Sequence, residues 1–138
     1  MAKQTLTLVK SFAADSGVSS PNVCLVMSSV AAGNVALPGG ALATKFVGVS
    51  LEGIPPNSTL SEIAVQLHGI AQIVTDGSAV ITAGGYVAIA NANGQIKTVV
   101  PANGTNSRQL VGVALSGATA TAGLLIDVLL QPMAYIGA

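Results

Sequence analysis

The feature that most restricts this chain is that it resembles itself at a spacing of 63 to 64 residues. Phe46-Val47-Gly48-Val49-Ser50-Leu51-Glu52-Gly53 aligns with Leu110-Val111-Gly112-Val113-Ala114-Leu115-Ser116-Gly117. Each run is followed by a turn-forming stretch and then by a second matching run, Ile63-Ala64-Val65-Gln66-Leu67 against Ile126-Asp127-Val128-Leu129-Leu130. Upstream, Leu37-Pro38 corresponds to Val100-Pro101, and Val23-Cys24-Leu25-Val26 falls opposite Tyr86-Val87-Ala88-Ile89. A chain rich in Ala, Val and Gly produces chance matches, but a shared V-G-V-x-L-x-G with matched flanks goes beyond them. The sequence therefore divides into an N-terminal arm and linker (1–19), a first repeat (20–68), a second repeat (83–131) and a C-terminal tail (132–138), all within one compact domain.

The repeated unit reads as β-structure. Val47, Val49 and Leu51 alternate with Gly48, Ser50 and Glu52, and Val111, Val113 and Leu115 do the same in the second copy, the period of two of a strand with one buried face. Asn93-Gly94 lies between two apolar runs, and an Asn-Gly pair supplies the positive φ angles of a tight hairpin. Ser16-Gly17, Pro38-Gly39-Gly40, Pro55-Pro56-Asn57, Asp76-Gly77 and Gly84-Gly85 punctuate the rest with turns. No window carries a capped apolar pattern of helical period. The expectation is an all-β sandwich or barrel of about ten short strands, built from two internally repeated β units with an N-terminal strand-like arm.

The final strands of the two copies differ. Ile63, Val65 and Leu67 share one face and Glu62, Ala64, Gln66 and His68 the other, whereas in the second copy Leu125 and Leu129 replace Glu62 and Gln66. A strand apolar on both faces must be covered on both, either by its own loops or by another subunit. Leu125 and Leu129 are therefore candidate assembly contacts. Thr5, Leu6, Thr7, Leu8 and Val9 are a second candidate set, because an alternating segment outside the repeat satisfies its backbone by adding to a sheet edge, in its own subunit or in a neighbour.

Charged residues make up 7% of the chain and five basic side chains cancel five acidic ones. That balance argues against nucleic acid, whose capture needs clustered Lys and Arg, and 3% aromatics leave no stacking platform. So neutral a surface gives a free monomer little colloidal protection, which points to a surface covered by partners. Cys24 is the only cysteine and reads as a small buried hydrophobe, with no partner for a disulfide or zinc site. The first ten residues lack the apolar core of a signal peptide, and the uncharged stretches 16–44 and 109–126 are broken by Pro, Gly and alternation, so synthesis in a cytoplasm and no membrane span are expected.

Chemistry is thin along the chain. His68 is the only imidazole and lacks a Gly-x-Ser-x-Gly nucleophile, the carboxylates occur singly, and phosphate-cradling loops are missing. Lys97, just after the Asn-Gly turn, is where a swinging-arm carrier would hold its group, but its neighbours are not those a modifying enzyme reads. Asn57-Ser58-Thr59 and Asn103-Gly104-Thr105 match the glycosylation sequon without a secretion signal to support it. No catalytic residue, cofactor, metal or small-molecule substrate is expected.

The second copy, from Ala83-Gly84-Gly85-Tyr86-Val87-Ala88-Ile89 through Asn93-Gly94-Gln95-Ile96 and Leu110-Val111-Gly112-Val113-Ala114-Leu115 to Ile126-Asp127-Val128-Leu129-Leu130, resembles the capsid decoration (cement) proteins of tailed bacteriophages. The resemblance covers residues 78–131 directly and 20–68 through the repeat. It implies a small β-rich virion subunit, a homotrimer on the outer capsid surface that braces neighbouring major capsid proteins. The chain departs from commoner members in its poverty of Asp, Glu and Lys. A β-rich binding or adhesin-type module of a virion or cell surface is the competing reading.

Overall fold

Short alternating runs separated by turn residues give strands throughout, and no helix occurs among the described residues. The structure, a computed structural model, describes residues 7–15, 17–40, 45–54, 62–99 and 107–136, with the backbone alone for 107–108 and 132–136. In the first half run β1 (Leu8–Ala13), β2 (Cys24–Met27), β3 (Val35–Ala36), β4 (Phe46–Ser50) and β5 (Glu62–His68). In the second run β6 (Ile70–Val74), β7 (Tyr86–Ile89), β8 (Ile96–Thr98), β9 (Ser107–Ala114) and β10 (Leu125–Ile136). They form two five-stranded antiparallel sheets packed against each other, ordered β1-β5-β4-β2-β3 and β6-β10-β9-β7-β8, the all-β architecture expected.

Position for position the two strand orders are the same, and so are two details of register. In the first sheet Cys24 faces Val49 and Leu25 faces Gly48, after which a bulge shifts the pairing so that Val26 meets Phe46. In the second, Tyr86 faces Val113 and Val87 faces Gly112, and the pairing then shifts so that Ala88 meets Leu110. This geometry sets Cys24 against Tyr86, one residue away from the sequence alignment, which set Val23 there; an ungapped comparison does not see unequal loop lengths. The two glycines have a common steric cause. A Cβ on Gly48 would stand 2.3 Å from the carbonyl oxygen of Gln66, and one on Gly112 2.0 Å from that of Leu129, so only glycine lets the neighbouring strand approach.

Each sheet also curls until its outer strands meet. Ala14, just past β1, forms a parallel bridge with Val35 of β3, and Thr75, just past β6, forms one with Ile96 of β8. The next residues repeat the contact: the Asp15 N–H donates to the Val35 carbonyl (2.9 Å) and the Asp76 N–H to the Ile96 carbonyl (3.0 Å). The result is two small lobes with their own interiors. Val18, Leu25, Val35, Ile63 and Val65 fill the first; Ile73, Val87, Ile96, Ile126, Val128 and Leu130 fill the second. Cys24, Val26, Phe46 and Val49, on the outside of the first sheet, pack into the same apolar cluster as the second lobe.

Three boundaries differ from the sequence reading. Residues 8–13, assigned to an arm, form an edge strand paired with β5 from Leu8 opposite His68 to Ala13 opposite Glu62; the strand-like alternation was satisfied within the subunit. The segment between the repeats holds β6, which occupies in the second sheet the place of β1 in the first. Residues 132–136, assigned to a tail, continue β10, which pairs with β9 as far as Ile136 opposite Ser107. The Asn93-Gly94 hairpin forms where expected, but only Gly94 takes a positive φ, 77°. Asn91 stabilises the loop instead, its Oδ1 accepting from the Asn93 N–H (2.9 Å).

The chain passes from one sheet to the other through a single residue. β5 ends at His68, β6 begins at Ile70, and Gly69 between them has φ 97°, a left-handed conformation that favours glycine. Gln66, buried in β5, spans the crossing: its Nε2 donates to the carbonyls of His68 (3.1 Å) and Ile70 (2.9 Å). The Leu130 N–H donates to the Gly69 carbonyl (3.0 Å), which anchors the crossing to β10.

Candidate assembly surface

Strand alternation places Ile126, Val128 and Leu130 of β10 inward and Leu125, Asp127 and Leu129 outward. The inner set is buried, whereas Leu125 is exposed and Leu129 half-buried. On the second face of this strand Leu125 is thus exposed, and Asp127 and Leu129 are only partly covered.

Register extends that face across the sheet. Leu129 lies opposite Ile70 on β6 and opposite Val113 on β9, and Val113 lies opposite Tyr86 on β7. Ile70, Leu129, Val113 and Tyr86 therefore form one apolar row across four strands, with Tyr86 50% and Ile70 46% exposed. In the next row Leu115 is exposed alongside the polar Asp127 and Gln72, and Leu125 lies exposed beyond them. Tyr86 and Ile70 were not singled out in the sequence; only strand order brings residues 16 positions apart into one line with β10.

The N-terminal candidates have a different setting. Thr5 and Leu6 lie outside the described residues. Thr7, Leu8 and Val9 are exposed, and β1 is the end strand of its sheet, so its remaining edge offers backbone donors and acceptors at the surface. Lys10 stacks over Phe12, 5.1 Å from the ring centroid, a cation–π contact on the same strand.

The residues weighed for chemistry stay apart. Cys24 is fully buried, and burial pushes its thiol pKa well up, which keeps it protonated and unreactive. His68 is exposed at the end of β5, and among the described residues no group of three His, Cys, Asp or Glu side chains converges on one point. Lys97 sits within β8 opposite Ala88, half-buried, rather than at the tip of the hairpin as a carrier lysine would. Asp15 is the centre of a small network: its carboxylate accepts from the Ser28 hydroxyl and from Asn34 Nδ2 (3.0 Å), and these two bonds hold its pKa below the ordinary 3.8. The network fastens the end of β1 to the β2–β3 hairpin. Between the lobes lies a cleft of about 280 Å³ bordered by Ser19, Ser20, Asn93 and Gln95, with no charged side chain on its lining. Among the described residues no helix is long and apolar enough to cross a membrane.

No family model and no curated protein matches this chain.

Proposed function

We propose that the protein is a non-enzymatic structural subunit that decorates the outer surface of a tailed-phage head, self-associated as a trimer and bracing neighbouring major capsid proteins. The observation that carries this reading is the apolar row Ile70-Leu129-Val113-Tyr86 on the outside of a rigid β framework. A near-uncharged chain that leaves such a row open is suited to being covered by protein. The free edge of β1 offers a second, backbone-mediated contact toward the shell. The resemblance of residues 78–131 to cement proteins points the same way, and the localisation that goes with it is the virion exterior.

Co-sedimentation of the purified protein with undecorated phage heads tests the reading. Saturable binding, with heads that better withstand heat or chelator, is the expected result. Absence of binding to heads of any candidate host phage overturns it. Removal of residues 2–10 is expected to leave a folded subunit that binds shells at least tenfold more weakly, because β1 then loses its leading residues Leu8, Val9 and Lys10.

The cleft between the lobes, lined by Val23, Leu37 and Val74 as well as by Ser19, Asn93 and Gln95, favours the adhesin-type alternative. It predicts a saturable small ligand displaced by substitutions at Asn93 or Gln95, with shell binding absent.

A further inference from the structure

The two lobes have the same strand order and the same bulge, so each residue on the outside of one sheet has a counterpart on the other. Along the row just described, Cys24 corresponds to Tyr86, Val49 to Val113 and Gln66 to Leu129. Their exposures are unequal. Cys24 is 0%, Val49 1% and Gln66 5% exposed, whereas Tyr86 is half-exposed and Val113 and Leu129 are partly so. The fourth pair of the row, Val9 and Ile70, is 46% exposed in both lobes, and farther along the strands Val26 and Phe46 and their counterparts Ala88 and Leu110 are buried in both, so the difference is confined to those three pairs.

The second lobe covers the row in the first. The Cys24 N–H donates to the carbonyl of Gly94, at the tip of the β7–β8 hairpin (2.8 Å). The Phe46 N–H donates to Gln109 Oε1 on β9 (2.8 Å). The Val74 N–H, at the end of β6, donates to the Asn22 carbonyl (3.0 Å). Gly94 fits so closely that a Cβ there would stand 2.5 Å from the Cys24 carbonyl oxygen. The surface the second lobe presents is thus the β7–β8 hairpin tip flanked by β6 and β9.

The first lobe has a hairpin in the equivalent place, with Ser29, Val30, Ala32 and Gly33 exposed at its apex. Its β2–β3 hairpin is one residue longer and closes by a related pair of bonds: the Ser28 N–H donates to the Asn34 carbonyl (2.9 Å) and the Asn34 N–H to that of Ala31 (3.2 Å), where Ala90 donates to Gln95 (2.7 Å) and Gly94 to Asn91 (3.2 Å) in the second lobe. At its tip stands Val30, an apolar side chain 90% exposed.

We infer that the open row on the second lobe is the docking site for the β2–β3 hairpin face of a second copy of this chain, which repeats between chains the packing of second lobe on first within a chain. The contact is heterologous, since it joins different surfaces of the two copies, and a cyclic arrangement of copies leaves neither surface open. The angle between the lobes sets the number of copies in the ring. The inference deepens the reading of the protein as an assembly subunit, and its test uses the protein alone, so failure to bind shells and failure to self-associate in this way are read separately.

Native mass spectrometry and analytical ultracentrifugation of the wild type are expected to show a closed homo-oligomer. Tyr86→Glu breaks the receiving row and Val30→Glu the inserting tip; each is expected to be monomeric with an unchanged circular dichroism spectrum. Each variant keeps the surface the other lacks, so an equimolar mixture should give a 1:1 heterodimer and nothing larger. Tyr86→Ser, a smaller change at the same position, replaces Tyr86→Glu if the latter fails to fold. A monomeric wild type, variants that retain the oligomer, or a mixture that stays monomeric overturns the inference.

Discussion

The two lobes share a backbone plan and differ in what their outer faces carry. Where the first lobe has the small thiol of Cys24, a neighbouring carbonyl approaches to hydrogen-bond distance; where the second has Tyr86, the ring stands half in solvent. Where the first has Gln66, the chain must cross to the other sheet and two carbonyls need a donor. The second lobe has Leu129 at that place, and β10 continues, past a register shift after Leu130, to Ile136. One strand plan thus accepts either a buried contact or an open one, and the side chains at three matched positions decide which.

The strongest way to break the comparison is to add a methyl group at its most matched point. Gly112→Ala and Gly48→Ala should each cost about 3 kcal/mol or more, because the new Cβ meets a strand backbone that has no freedom to withdraw. Chemical denaturation of both variants checks this, and tolerance at one site alone would show that the lobes are less alike than their register. Substitution at the valines sharpens the contrast. On the Tyr86→Glu background, Val49→Ala should lose about 2 kcal/mol, as expected for a buried valine, and Val113→Ala less than about 1 kcal/mol.

The smallest expected effect separates the lobes by pH. Asp15 has a folded-state pKa below its ordinary value, through its bonds from Ser28 and Asn34. A depressed carboxylate pKa contributes stability that is present above the ordinary Asp range and is lost as pH falls toward the folded value. Melting temperatures of Asp15→Asn and the wild type should therefore converge as the pH drops below about 3.8 and separate, modestly, above it, the bonds lying at the surface.

Much of this was legible in the sequence because strand period and turn chemistry are local. The V-G-V alternation marked β4 and β9, the Asn-Gly pair marked the β7–β8 hairpin, and the double-faced apolarity of Leu125 and Leu129 marked the open side of β10. What escaped was non-local. Ile70-Ala71-Gln72-Ile73-Val74 has few distinguishing residues and falls outside both repeat windows, so β6 was missed. The row that joins Tyr86 to Leu129 exists only once β9 lies between them, and the burial of Cys24 depends on a hairpin 70 positions away. The arm was read correctly as strand-like, but a segment's pattern does not say which edge it will join.

The single-residue passage at Gly69 has a mechanical consequence. A linker normally gives two lobes slack, so that each loosens alone and strain on one is absorbed before it reaches the other. Here β5 hands over directly to β6, and Cys24, Val26, Phe46 and Val49 of the first lobe lie in the cluster of the second. Opening either lobe removes covering from the other, so the pair melts as one cooperative unit. A pull on one lobe passes through the crossing without stretch, and the chain carries load as a solid block rather than as two beads on a string.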